Sequence, residues 1–323
     1  MRLRITRRQM ANWLNRPEYV HQPGKLLRRV FGKASGEEGE AVIELPWKLQ
    51  LEVDTSETSG RILSHHGIFE MPVVEALFRL VDPLDTVLDV GANIGYMTAV
   101  AASTGAAKVI SFEPHPALYP RLSRNIERWK AIPALAGRVE GRAQAVSSAC
   151  GTSILNIPRG WCTDNQMLAT LEEQPNPEAF DEVRVPVTTL DEVIREAGGP
   201  IGVLKIDIEG HEFQAFKGAR ESLSQRKIRD IIYEDFAGIG SDPSKLLASH
   251  GYFIFGVKSS LLGPVLIDDR HLGKPAYGEH NFVATIDPAR VKKRMSARGY
   301  LCLSRGARTG LQERLQGQAC GEG

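Results

Sequence analysis

The residues able to do chemistry fall in four short stretches. Thr86-Val-Leu-Asp-Val-Gly-Ala-Asn-Ile-Gly-Tyr96 carries Asp89, Gly91, Asn93 and Gly95 in alternation with small or apolar residues. Lys108-Val-Ile-Ser-Phe-Glu113-Pro114 ends in an acid, and Val203-Leu-Lys-Ile-Asp-Ile-Glu-Gly-His-Glu-Phe213 sets Asp207 and Glu209 one strand period apart, ahead of His211. Asp230-Ile-Ile-Tyr-Glu-Asp-Phe236 again ends in acids, Glu234 and Asp235. Glycines let backbone N–H groups approach a ligand closely, and a helix start adds unsatisfied donors and a positive dipole end. An acid at a strand tip accepts hydrogen bonds from ribose hydroxyls.

These side chains need strands that end together. Val87, Leu88 and Val90 are apolar β-formers running into the glycine turn, and helical periodicity follows through Tyr96, Val100 and Ala101. Such a turn suits several ligands. A dinucleotide fingerprint wants Gly-x-Gly-x-x-Gly, and the chain reads Gly-Ala-Asn-Ile-Gly from Gly91. A P-loop is excluded, because no Gly-Lys-Ser/Thr follows. The Asp-x-Gly-x-x-x-Gly spacing that remains resembles the first motif of S-adenosylmethionine-dependent methyltransferases. There Asp89 is expected to meet the cofactor's ammonium and Glu113 its ribose.

With the Lys205-Ile-Asp-Ile-Glu-Gly210 segment downstream, the chain resembles the FkbM-type family of methyltransferases from roughly Gly67 to Thr285. His66-Gly-Ile-Phe-Glu70 is similar to that family's Gly-Tyr-Glu entrance, with Phe69 in place of the usual Tyr. The resemblance implies a Rossmann-like class I methyltransferase fold: α/β, a mostly parallel seven-stranded sheet, helices on both faces. It also implies O-methyl transfer to a hydroxyl of a small molecule, sugar or glycan. The cofactor-binding set it points to is Glu70, Asp89, Gly91, Ala92, Asn93, Gly95, Tyr96, Glu113, Pro114, Gln144 and Ala145.

At 323 residues the chain is long enough for one large α/β core with additions. A net charge of +1 gives no overall pull towards nucleic acid or membrane, although both ends of the chain are basic. Cys150, Cys162, Cys302 and Cys320 show no Cys-x-x-Cys spacing, which argues against a zinc site or disulfide framework. No stretch approaches eighteen apolar residues. The expectation is a reduced, cytoplasmic enzyme without stable membrane insertion, its oligomeric state open.

Three parts are expected: a basic helical and hairpin extension over 1–66, the methyltransferase domain over 67–287, and a basic disordered tail over 288–323. Ala41–Leu45 and Leu49–Val53 alternate as a hairpin. Thr86–Val90, Lys108–Phe112, Val139–Val146, Gly202–Ile208 and Asp230–Phe236 read as core strands between helices, which implies right-handed crossovers. Asp89, Glu113, Gln144 and Asp207 all fall at strand ends. Pro158–Phe180 is long and polar, a lid or substrate-contact loop.

Methyl transfer to an aliphatic hydroxyl requires a group that removes the proton. Asp207, Glu209, His211 and Glu234 are the catalytic candidates. In the resembling catechol-type enzymes, acids at these two strand ends hold magnesium, and Asp207 with Glu234 are placed to do so here. The rival is a metal-free site with Asp207 or His211 as base. A catalytically silent binding protein is the alternative from another class. A nucleic-acid methyltransferase is disfavoured, since Asp207-Ile-Glu-Gly stands where an Asn/Asp-Pro-Pro-aromatic motif belongs.

Overall fold

The structure, a computed structural model, describes residues 39–159, 168–238, 240–268 and 280–304. In chain order it begins with a hairpin, β1 (Glu40–Glu44) and β2 (Gln50–Asp54), then helices α1 (Thr58–His66) and α2 (Met71–Leu80). Strand β3 (Thr86–Val90), α3 (Tyr96–Ser103), β4 (Lys108–Phe112), α4 (Leu118–Lys130) and β5 (Val139–Arg142) follow. Next come the short β6 (Ala145–Val146), β7 (Gly151–Pro158), β8 (Phe180–Thr188) and α5 (Leu190–Ala197). The second half runs β9 (Ile201–Ile206), α6 (Glu212–Lys217), α7 (Arg220–Ser224), β10 (Ile228–Glu234) and α8 (Asp242–Ser249). It closes with β11 (Phe253–Ser260), β12 (Gly263–Asp268), β13 (Asn281–Thr285) and α9 (Pro288–Met295).

Local chemistry sets these boundaries. Thr189 accepts the Glu192 N–H at the start of α5, and Gly198 ends that helix in the left-handed region at φ 72°. Gly67, at φ 70°, ends α1 in the same way. Residues Ile201–Ile206 are buried throughout, as a central strand covered on both faces must be.

The main sheet has the order β12-β11-β13-β10-β9-β3-β4-β5. The five strands from β10 to β5 are parallel, while β13, β11 and β12 form an antiparallel edge. One face packs on α2, α3 and α4, the other on α5, α6 and α7, giving two apolar cores. This is the doubly covered α/β architecture expected, with eight strands where seven were anticipated.

Three boundaries differ from expectation. The segment read as one strand, Val139–Val146, splits: β5 stays on the main sheet, and Ala145–Val146 pair with Val187–Thr188 in a separate sheet of order β6-β8-β7. The hairpin is no separate extension, because Leu45, Trp47, Leu49 and Leu51 are buried in the same core as α2 and α3. Residues 288–304 are not a disordered tail. Val291 and Met295 of α9 are buried, and Arg290 and Arg294 pair with Asp82. The basic segment 1–35 and residues 305–323 lie outside the described residues. Among the described residues no helix is long and apolar enough to cross a membrane.

Candidate functional site

From β3 the chain steps outward to β4 and β5, then returns to β9 on the other side of β3. That reversal opens a crevice at the carboxyl ends of β3 and β9, the place where such sheets bind ligands. Gly91 turns there at φ +76°, and a Cβ on it would sit 1.8 Å from the Asp207 carbonyl oxygen, so only glycine fits. The N–H groups of Gly91 and Ala92 both donate to the Phe112 carbonyl, at 3.0 and 2.9 Å, tying the turn to the end of β4.

One cavity fills this crevice. Glu70, Gly91, Ala92, Asn93, Tyr96, Glu113, Pro114, Gln144 and Ala145 line it, together with Asp207, Glu209 and His211. Sequence reasoning singled out all of these. It missed Ser59 and Leu63 of α1, Leu155 of β7, and Ala169, Thr170 and Leu171 from the segment after residue 167. The only signal for the last three was the length and polarity of Pro158–Phe180.

Three expected site residues lie off the cavity wall. Gly95 caps α3 at φ 94°, where a Cβ would meet Leu122 Cδ1 at 2.7 Å. Asp89 is buried beneath the turn: its Oδ2 accepts the Thr98 hydroxyl at 2.6 Å and its Oδ1 lies 3.6 Å from Lys205 Nζ. Glu234 belongs to an adjoining groove described below.

The acids on the wall are held in distinct ways. Glu113 is buried, with Oε2 accepting the Asn93 N–H and Oε1 the His115 N–H, both at 2.8 Å. Burial pushes its carboxyl up to about 7 despite those bonds. Each oxygen keeps a second acceptor site. Glu70 caps α2 with a left-handed backbone at φ 49°, and burial with the nearby Asp207 charge raises its carboxyl to about 7. Lys205 is the buried cation among these groups. Its Nζ donates to the Gly91 carbonyl at 3.0 Å and stands 3.6 Å from both Asp89 and Asp207. Burial alone would lower the Lys205 pKa, and the carboxylates of Asp207, Asp89, Glu70 and Glu113 raise it instead.

Glu209 stands at the mouth, lining both the cavity and a neighbouring groove formed by Glu212, Phe213, Glu234, Asp235 and Phe236. Its backbone is left-handed at φ 53°, followed by Gly210 at φ 92°. Burial, then Asp207 and Glu212, push its carboxyl to about 7; burial, then Asp207 and Glu70, push Glu234 to about 8. Phe236 is 60% exposed, and its ring lies 4.6 Å from that of His280. Both ring nitrogens of His211 are engaged, Nε2 with Ser147 Oγ at 2.8 Å and Nδ1 with Glu172 Oε1 at 2.6 Å. Among the described residues no group of three or more His, Cys, Asp or Glu is arranged to hold a metal ion. Asp207 and Glu234, the pair expected at a magnesium ion, are not part of such a group.

Comparison with known proteins gives a consistent family. The model of the methyltransferase FkbM domain matches residues 89–252, about half of the chain. The hexuronic acid methyltransferase AglP of Haloferax volcanii is 27% identical over 207 residues, covering 61% of this chain and 74% of that protein. The methyltransferase sdnD of Sordaria araneosa is 27% identical over 191 residues, covering 52% and 73%. A crystal structure of methyltransferase FkbM from Methylobacillus flagellatus aligns at TM-score 0.40 and 16% identity, covering 62% of this chain and 44% of that one.

Proposed function

We propose, for a chain that belongs to the FkbM family of methyltransferases, that it is an S-adenosylmethionine-dependent O-methyltransferase acting on a hydroxyl of an uncharged or cationic small molecule or sugar. The observation that carries this reading is the position of Glu209, the carboxylate shared by the cavity and the acidic groove.

The residues of the cavity fit the cofactor. Gly91 leaves room for close backbone approach, Glu113 keeps free acceptor sites for a ribose, and Leu118, Val146, Leu155 and Leu171 give apolar walls for a base. Glu70 and Asp207 are carboxylates at the end suited to an ammonium. When bound, S-adenosylmethionine supplies an electrophilic methyl group on a sulfonium.

The groove is then the acceptor's place. Carboxylates accept hydrogen bonds from hydroxyls and amines, and Phe236 offers an exposed apolar face for a sugar ring. A further negative charge in this groove would push these already raised acids to take up still more protons, at a cost in free energy, so a uronate of the kind named for AglP is disfavoured here. Glu209 takes the hydroxyl proton on a carboxylate oxygen. A base with a pKa near neutrality is well matched to that transfer, and the charges of Asp207 and Glu212 help to hold it there. His211 acts as wall, since both of its nitrogens already have partners.

Glu209→Gln should lower turnover by about a hundredfold or more, the range expected for a lost general base. Calorimetry should find the affinity for S-adenosylhomocysteine unchanged. Full turnover in that variant would move the proton transfer to another group.

A further inference from the structure

We propose that Glu172 is a positioning residue that fixes the orientation and tautomer of His211, through a strap laid across the cavity. The inference rests on the cavity being the cofactor's site. The strap is Leu168–Gln174. Thr170 exchanges backbone hydrogen bonds with Asn156 of β7 in both directions, at 2.9 and 3.1 Å. The Asn156 Nδ2 donates to the Glu172 carbonyl at 2.9 Å, and so does Gln174 Nε2 at 3.0 Å. Thus held against the small sheet, the strap turns Ala169, Thr170 and Leu171 into the cavity wall.

Two side-chain ties run from the strap to the turn after β9, which carries the acids. The Thr170 hydroxyl donates to the Glu209 carbonyl at 3.0 Å, supporting a non-glycine residue in the left-handed region. Glu172 Oε1 lies 2.6 Å from His211 Nδ1. An ionised carboxylate only accepts, so Nδ1 carries the proton, and Nε2 of the neutral ring accepts the Ser147 hydroxyl. Burial lowers the His211 pKa even though the Glu172 contact raises it, a direction that agrees with this assignment. Glu172 comes from the strap and Ser147 from the end of β6, so the ring is fixed only where the two meet.

The test uses the full chain labelled with 15N-histidine, its His211 signals assigned by comparison with His211→Asn. In the wild type, long-range proton–nitrogen spectra should give a ring protonated at Nδ1, with Nε2 as an acceptor. Glu172→Ala should yield a mixture of tautomers and speed release of S-adenosylhomocysteine by about tenfold, the scale of one charge-assisted hydrogen bond. Glu172→Gln, whose amide oxygen still accepts, should stay near the wild type in both. Thr170→Val, which loses the tie to Glu209, should also speed release. Nε2 protonation in the wild type would overturn the proposal, as would a Glu172→Ala variant unchanged in tautomer and release rate. Failure of the wild type to bind S-adenosylhomocysteine would instead count against the cofactor reading, and the tautomer of the free protein would still decide the role of Glu172.

Discussion

The two ends of the parallel strands treat buried acids in opposite ways. At the end where the strands begin, four acids are held by arginines. Glu75 pairs with Arg79, Asp85 with Arg229, Asp230 with Arg229 and Arg290, and Asp82 with Arg290 and Arg294. At the end where they finish, Glu70, Asp207, Glu209, Glu212 and Glu234 gather around the cavity and groove, and the buried Lys205 is the cation that offsets the charge of Glu70, Asp207 and Glu209. The consequence appears in the proton affinities. Burial pushes Asp82 up, yet Arg294 and Arg290 hold it below the ordinary range, whereas Glu209 and Glu234 rise to about 7 and 8. Fully neutralised acids make a rigid base for the fold. Acids left with excess negative charge hold protons near neutrality and attract hydroxyl or cationic ligands, which is what the proposed transfer needs.

The sharpest break of this contrast is Asp230→Ala. It strips a fully buried carboxylate from Arg229, Arg290 and the Thr285 hydroxyl and should cost about 3–5 kcal/mol in urea unfolding. A loss below about 1 kcal/mol would mean that these ion pairs do not brace the sheet. Next in size, Glu113→Ala should weaken S-adenosylhomocysteine binding by about 1–3 kcal/mol in calorimetry, if the two oxygens serve a ribose. No loss in that variant would contradict the ribose role, and tight NAD binding in the same assay would contradict the cofactor reading.

The two ends should also answer pH with opposite sign. Glu113 has a folded pKa near 7 against an ordinary 4.5, so the folded state binds the extra proton between those values. Its stabilising contribution is complete below about pH 4.5 and is lost as pH rises through 7. Asp82, lowered from 3.8, contributes above that value and loses its contribution as pH falls through its lowered pKa. The free protein's melting temperature should therefore fall by a few degrees between about pH 5 and 8, and Glu113→Gln should flatten the slope. A flat wild-type profile would count against the buried, proton-holding Glu113. The smallest effect is expected at Glu234→Gln. Removing this excess charge should leave stability within about 0.5 kcal/mol of the wild type, or raise it.

How legible each region was in the sequence follows the same division. Gly91 was readable because its role is local, a turn that admits no Cβ, and Asp207 with Glu209 were readable as paired acids next to it in the fold, although they sit in the turn after β9 and not one strand period apart along it. Asp89 was expected at the ammonium, and it lies instead beneath the turn. The reason is the register of β3 on β9, which sets Asp89 opposite Lys205, and no local pattern reveals which residue a distant strand brings alongside. Thr170 and Glu172 escaped notice for the same cause, since their partners Glu209 and His211 come from the turn after β9. The segment from Pro288 read as a disordered tail because its arginines dominate the composition. Pro at the first helical turn, Asp287 as cap and the Val291, Met295 spacing were the overlooked helix signals, and the arginines pair with Asp230 of β10 and Asp82 of the loop before β3.

The most direct measurement is the mass of an acceptor after incubation with the protein and S-adenosylmethionine, using a neutral methyl glycoside, an amino sugar and a uronate side by side. A gain of about 14 Da on a hydroxyl of the neutral or amino sugar, with the uronate unchanged and the gain strongly reduced in Glu209→Gln, is the predicted result. A gain confined to the uronate, or one of equal rate in Glu209→Gln, would contradict the account of the acidic end.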